Sequence, residues 1–247
     1  VDALEPTLVI STDLLGNDLI LGIVDSADVD PSVVPAPEAL RPDVRAIAAR
    51  LAATGAEVFL ANVPRPTLLP IAWEKRQRAI DRSREGAIAA GLDPDEAEAT
   101  TAADLDAKLA ELDALGDAYN AVLAEELAPY PNLHVVDLHR RVELLVATGL
   151  DVGGQRLEVK KFGGLLSTDG VHFGDVGYGM LADLFGDAIE AELRVEVPPV
   201  DLAALLAEDP YSPTAARAAG GGRGPGRVRD RRAVTAGPIS DRSAPCS

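Results

Sequence analysis

The chain has 247 residues, 47% of them hydrophobic and only 4% aromatic, with a formal net charge of -17 at pH 7. That length and apolar content allow one domain whose core is mostly Leu, Val, Ala and Ile, plus a tail. The charge argues against nucleic acid or an anionic membrane as a main partner, and a single cysteine, Cys246, excludes a disulfide framework or a Cys-rich metal site.

The first element is a short apolar run at residues 8–10, which reads as a buried strand ending in a turn at Leu15, Gly16, Asn17 and Asp18. Residues 31–42 are proline-rich and read as a loop. Over 43–54 the positions Val44, Ile47, Ala48, Leu51 and Ala52 recur at helical spacing, and Gly55 is a natural stop. Residues 57–61 form a second buried strand, closed by Asn62, Val63 and Pro64. Residues 71–127 are charged, Ala-rich and hence helical, broken at 91–94. From 103 to 127 the stripe Leu105, Leu109, Leu112, Leu115, Tyr119, Val122 and Leu123 predicts an amphipathic helix with a kink at Gly116. A third strand at 133–138 and a short helix at 140–148 follow. A glycine-containing loop spans 149–168. A last helix covers 177–193, with Tyr178, Leu181, Leu184, Phe185 and Ile189 facing inward.

Alternating strands and helices imply a parallel sheet covered on both faces, with ligands at the C-terminal ends of the strands. The character changes after about residue 197. Residues 197–247 read as a linker and a disordered basic tail, with the run Gly220, Gly221 and Gly222 followed by Arg223, Arg227, Arg229, Arg231 and Arg232. No apolar run reaches the ~20 residues that span a bilayer, so stable membrane insertion is not expected. No signal-peptide pattern is present.

Two motifs carry possible chemistry. One is Gly16-Asn17-Asp18 after the first strand; the other is Asp169-Gly170-Val171-His172 just before the last helix. In this order and setting they resemble the third and fifth conserved blocks of the SGNH/GDSL hydrolases, a family of serine esterases and lipases. The resemblance covers roughly residues 5–193. It is supported by Asn62-Val63-Pro64 after the second strand and by the stretch from Phe162 to Ser167 leading into Asp169.

The resemblance implies a three-layer α/β/α sandwich with a parallel, flavodoxin-like sheet, and hydrolysis of a small-molecule or lipid ester through a Ser-His-Asp triad. By position, His172 would be the general base, Asp169 the residue that orients its imidazole, and Asn17 the oxyanion donor, with Gly16 beside it at the substrate. No cofactor or metal is implied. The residue types suit acyl transfer. An amide N–H stabilises the developing oxyanion, and a carboxylate on one imidazole nitrogen frees the other to take a proton.

Two departures accompany the resemblance. Leu15 stands where the family has a glycine two residues before the Asn. The Gly-Asp-Ser block that carries the family's nucleophile has no counterpart, so the chain reads as the C-terminal two-thirds of such a domain. No Gly-x-Ser-x-Gly elbow substitutes for it. Ser11 lies within a strand, Ser167 is two residues from Asp169, and Ser26 is loop-borne. The competing reading is an inactive fragment or a binding module that keeps the pocket. A nucleotide binder would need a glycine-rich phosphate loop, which is not found. A metal site on His134, Asp137 and His139 is disfavoured because His134 and Asp137 would point to opposite faces of a strand. The 71–127 segment reads either as a lid lined by Trp73 and Tyr119 or as an ordinary covering insertion.

Overall fold

The structure is a computed structural model, which describes residues 5–24, 28–209 and 212. The expected tail from about residue 210 therefore lies almost wholly outside the described residues, as does Ser26. The fold is α/β, mostly helical, around a small parallel sheet.

Strands β1 (Leu8–Ser11), β2 (Glu57–Ala61) and β3 (Leu133–Val136) pair in parallel in that order. Val9, Val58 and Leu133 share one register row, and Ile10, Phe59 and His134 share the next. Because side chains alternate along a strand, adjacent rows face opposite sides. Val58 and Leu60 point into the larger core, under α1 (Gly16–Val24), α2 (Pro37–Ala52), α3 (Pro70–Ala90) and α4 (Pro94–Leu127). Phe59, Ala61 and Val136 point the other way, against α5 (Leu138–Thr148) and α6 (Asp175–Leu193). Helices thus cover both faces of β2, which explains its near-continuous apolar sequence.

β1 is an edge strand among the described residues. Its Leu8 and Ile10 are 41% and 48% exposed, on the face where Phe59 is buried. An apolar, unpaired strand edge is prone to association.

Several sequence expectations need correction. The turn expected at 15–18 opens helix α1, because Leu19, Gly22 and Ile23 bury one face of a helix there. The helix expected at 43–54 starts earlier, at Pro37 within the supposed loop. Proline suits a first helical turn because its missing N–H is unpaired there anyway. Asp137 ends the third strand early: its carboxylate accepts from the Arg140 N–H and caps α5. The loop expected at 149–168 contains a hairpin, β4 (Leu150–Val152) and β5 (Gln155–Leu157). Its two-residue turn is Gly153-Gly154, both at positive φ, as a tight hairpin turn demands. Tyr178, expected inside, is 50% exposed. Helix α4 runs through Gly116 without interruption. Within the expected linker, α7 (Leu202–Glu208) packs on α6 and β4 and buries Leu206. Among the described residues, no helix is long and apolar enough to cross a membrane.

Candidate active site

The loop between β5 and α6 holds the Asp169 and His172 pair in a small network. The backbone N–H groups of Val171 and His172 donate to Asp169 Oδ1 at 2.9 and 3.0 Å, and Ser167 Oγ donates to the same oxygen at 2.6 Å. The other carboxylate oxygen, Oδ2, lies 2.7 Å from His172 Nδ1. A carboxylate only accepts, so Nδ1 is the donor, and in the neutral ring this leaves the lone pair on Nε2. Partial burial of the Asp169 carboxyl raises its pKa. The hydrogen bonds from Ser167, His172 and the two backbone amides outweigh this and hold it well below the usual carboxylate range. The loop is closed at its base by the Ser167 N–H donating to His172 O at 2.8 Å, and at its tip by Gly170, whose φ of +75° favours glycine.

At the other end of the sequence, Asn17 lies in the first turn of α1, where Nδ2 donates to Asp13 Oδ2 at 3.1 Å. An amide nitrogen carries two hydrogens, so one remains for a ligand. At Leu15, where the resemblance leads one to expect a glycine, φ is not positive and the side chain enters the core.

These two ends meet. One cavity of about 150 Å³ is lined by Gly16, Asn17 and Asp13 on one side and by Val171, His172 and Phe173 on the other. It sits beyond the C-terminal ends of β1 and β2, where ligands bind in open α/β sheets. Apart from Asp13, Asn17 and His172, the lining is apolar, including Leu19, Val63, Val142 and Leu166. All four expected site residues except Asp169 line it, and Asp169 reaches it through His172.

The wall at residues 63–67 is held by one face of α4. Asn120 exchanges two hydrogen bonds with the Val63 backbone, each 2.8 Å. Asp117 takes the Arg65 guanidinium at 2.9 and 3.1 Å, and Asp113 accepts from the Thr67 N–H at 3.1 Å. Asp113, Asp117 and Asn120 are spaced to share a helix face. The long helical segment therefore holds the wall of the cavity. Trp73 is half-exposed and donates to Thr67 O, and Tyr119 is buried and donates to Pro35 O; neither lines the cavity. Asp13 and Asn120 escape sequence reading because each matters through a partner distant in sequence or one helical turn away.

The remaining histidines have other partners. His134 stacks on Phe59 and lies 2.9 Å from Glu57. His139 Nδ1 lies 3.2 Å from Val63 O. Among the described residues, no group of three or more His, Cys, Asp or Glu side chains is arranged to hold a metal ion. Among the described residues, no Ser, Thr or Cys lines the cavity. Ser167 is engaged with Asp169, and Ser11 belongs to β1. Comparison of the chain with protein-family models, curated proteins and solved structures found no match.

Proposed function

We propose that this site belongs to an ester hydrolase of the SGNH kind, with His172 as general base, Asp169 as its orienting carboxylate and Asn17 as oxyanion donor. The observation that carries the reading is the meeting of Asn17 and the Asp169–His172 pair at one apolar cavity, from opposite ends of the described chain. Nε2 of His172 takes the proton of the attacking hydroxyl while the carboxylate at Nδ1 stabilises the imidazolium. The second N–H of Asn17 donates to the carbonyl oxygen as it gains charge, a contribution on the order of 2.7–4 kcal/mol to the transition state. Among the described residues no Ser, Thr or Cys lines the cavity, so none of them is assigned as the attacking serine of this reading. The flavodoxin-like sandwich of that family is part of the same proposal; helices on both faces of a parallel sheet support it.

A second reading follows from the lining itself. With no Ser, Thr or Cys there among the described residues, the chain can serve as a binding module that keeps the pocket without the chemistry. Hydrolysis of p-nitrophenyl butyrate by the purified chain and by His172→Ala separates the two. The enzyme reading predicts turnover that the substitution abolishes. A folded chain without turnover, or with turnover indifferent to His172, favours the binding module and removes the hydrolase reading from this chain.

A further inference from the structure

Given the reading of Asn17 and His172 as the polar end of the site, we infer that the cavity buries about six carbons of an acyl chain. Leu19, backed by Gly116, forms part of the wall that sets that limit.

Among the described residues, the polar side chains of the lining are Asp13, Asn17 and His172, so a ligand's polar atoms belong with them and its hydrocarbon lies against Leu19, Val142, Leu166 and their neighbours. The Asp13 carboxylate beside Asn17 and the net charge of -17 disfavour a free fatty acid, because like charges repel. The ligand is therefore a neutral carbonyl compound. An apolar cavity of about 150 Å³ holds a hydrocarbon the size of benzene, hence about six carbons.

The limit is built in by close packing. Leu19 is 3% exposed and stands between the cavity and α4. A Cβ placed on Gly116 would lie 3.1 Å from Leu19 Cδ2 and 3.7 Å from Pro66 Cδ. Both of those residues line the cavity; a side chain at 116 meets Pro66 at ordinary contact distance and presses Leu19 toward the cavity. Glycine inside a long helix is unfavourable relative to alanine, and this close approach is the local reason for it. The hydrogen bonds that residues 63–67 donate to Asp113, Asp117 and Asn120 fix them on the same side. The wall on the α4 side is therefore held in place.

The test is a titration of the 247-residue chain with neutral primary carboxamides from propanamide to decanamide, followed by the methyl shifts of Leu19 and Leu166. These probes need no nucleophile. Affinity rises about fourfold per methylene up to hexanamide and then levels off or falls. Gly116→Ala brings the break to a shorter chain. Ile20→Ala, at a half-buried lining position, moves it to a longer one. Affinity that keeps climbing to decanamide, or no binding at any length, overturns the inference. Asn17→Ala keeps the test separate from the functional reading. A break at six carbons that is indifferent to Asn17 leaves the length limit standing and removes Asn17 as donor, whereas weakened binding at every length supports both.

Discussion

At Gly177, α6 packs closely against the loop that presents His172. A Cβ built on it would lie 2.2 Å from Leu165 O and 2.8 and 2.9 Å from Phe173 side-chain atoms. Phe173 follows His172 directly, so relief of that clash must move the loop. Overpacking of this kind costs ~1–3 kcal/mol, and here the upper end applies because the nearest atom is backbone, which has no alternative rotamer. Alanine recovers ~1 kcal/mol of helix propensity. The net loss for Gly177→Ala is then ~1–2 kcal/mol, a fall of roughly 2–8 °C in Tm for a domain of this size. Gly86 is the control. It lies in α3 with nothing within 4 Å of an added Cβ, so Gly86→Ala gains ~1 kcal/mol and raises Tm by roughly 2–4 °C. Thermal and urea unfolding of the two variants beside the wild type read both. If Gly177→Ala is as stable as the wild type, or if the two substitutions shift Tm alike, the packing described for this loop is wrong.

The carboxylate of Glu126 ties α4 to Arg45 and Arg41 of α2, and those hydrogen bonds pull its pKa down from 4.5 to about 2. A depressed carboxylate stabilises the fold above its unfolded pKa and loses that contribution as pH falls through the folded value. Glu126→Gln should therefore weaken the protein at pH 7 and flatten its loss of stability between about pH 4.5 and 2, read by urea unfolding at several pH values; an unchanged acid limb would contradict this. In Asp169→Asn, Oδ1 remains the acceptor for two backbone amides, so the new NH2 group faces His172 Nδ1 and donates to it. The imidazole proton should then move to Nε2, which 15N shifts of the ring report; a ring unchanged from wild type would sink the assignment. Tyr119→Phe removes the 2.7 Å hydrogen bond to Pro35 O in a buried setting and should cost ~1–2 kcal/mol by urea unfolding; no loss would mean that the hydroxyl is not paired.

Much of the frame was legible because it depends on local pattern. The three strands follow from short apolar runs at 8–10, 57–61 and 133–138, and the stripe from Leu105 to Leu123 lies along a helix whose buried face it forms. The errors arise where tertiary packing overrides a local signal. Gly16 and Asn17 look like a turn, yet the burial of Leu19 and Ile23 draws them into a helix. Pro42 suggests a loop but lies inside α2, whose buried Val44 and Ala48 carry the helix past it. Tyr178 lies on the expected stripe yet points to solvent, with its ring edge against Phe173.

At the site, Asn17, Asp169 and His172 were legible as motifs, and their shared cavity follows from the order of strands. The supports were not legible. Asn120 matters only because α4 passes beside Val63, and Gly116 only because Leu19 and Pro66 come so near. Such roles belong to long-range packing, which single-residue patterns do not encode.

If Asn17 and His172 form one site, a single ligand meets both. On addition of butanamide to the 15N-labelled chain, the Asn17 side-chain amide and the His172 ring should both shift along one saturation curve. Asn132, whose amide donates to Ala52 O and Ala56 O at the other end of β2, should stay unmoved. A shift at only one of the two residues, or separate saturation at each, would contradict a shared site.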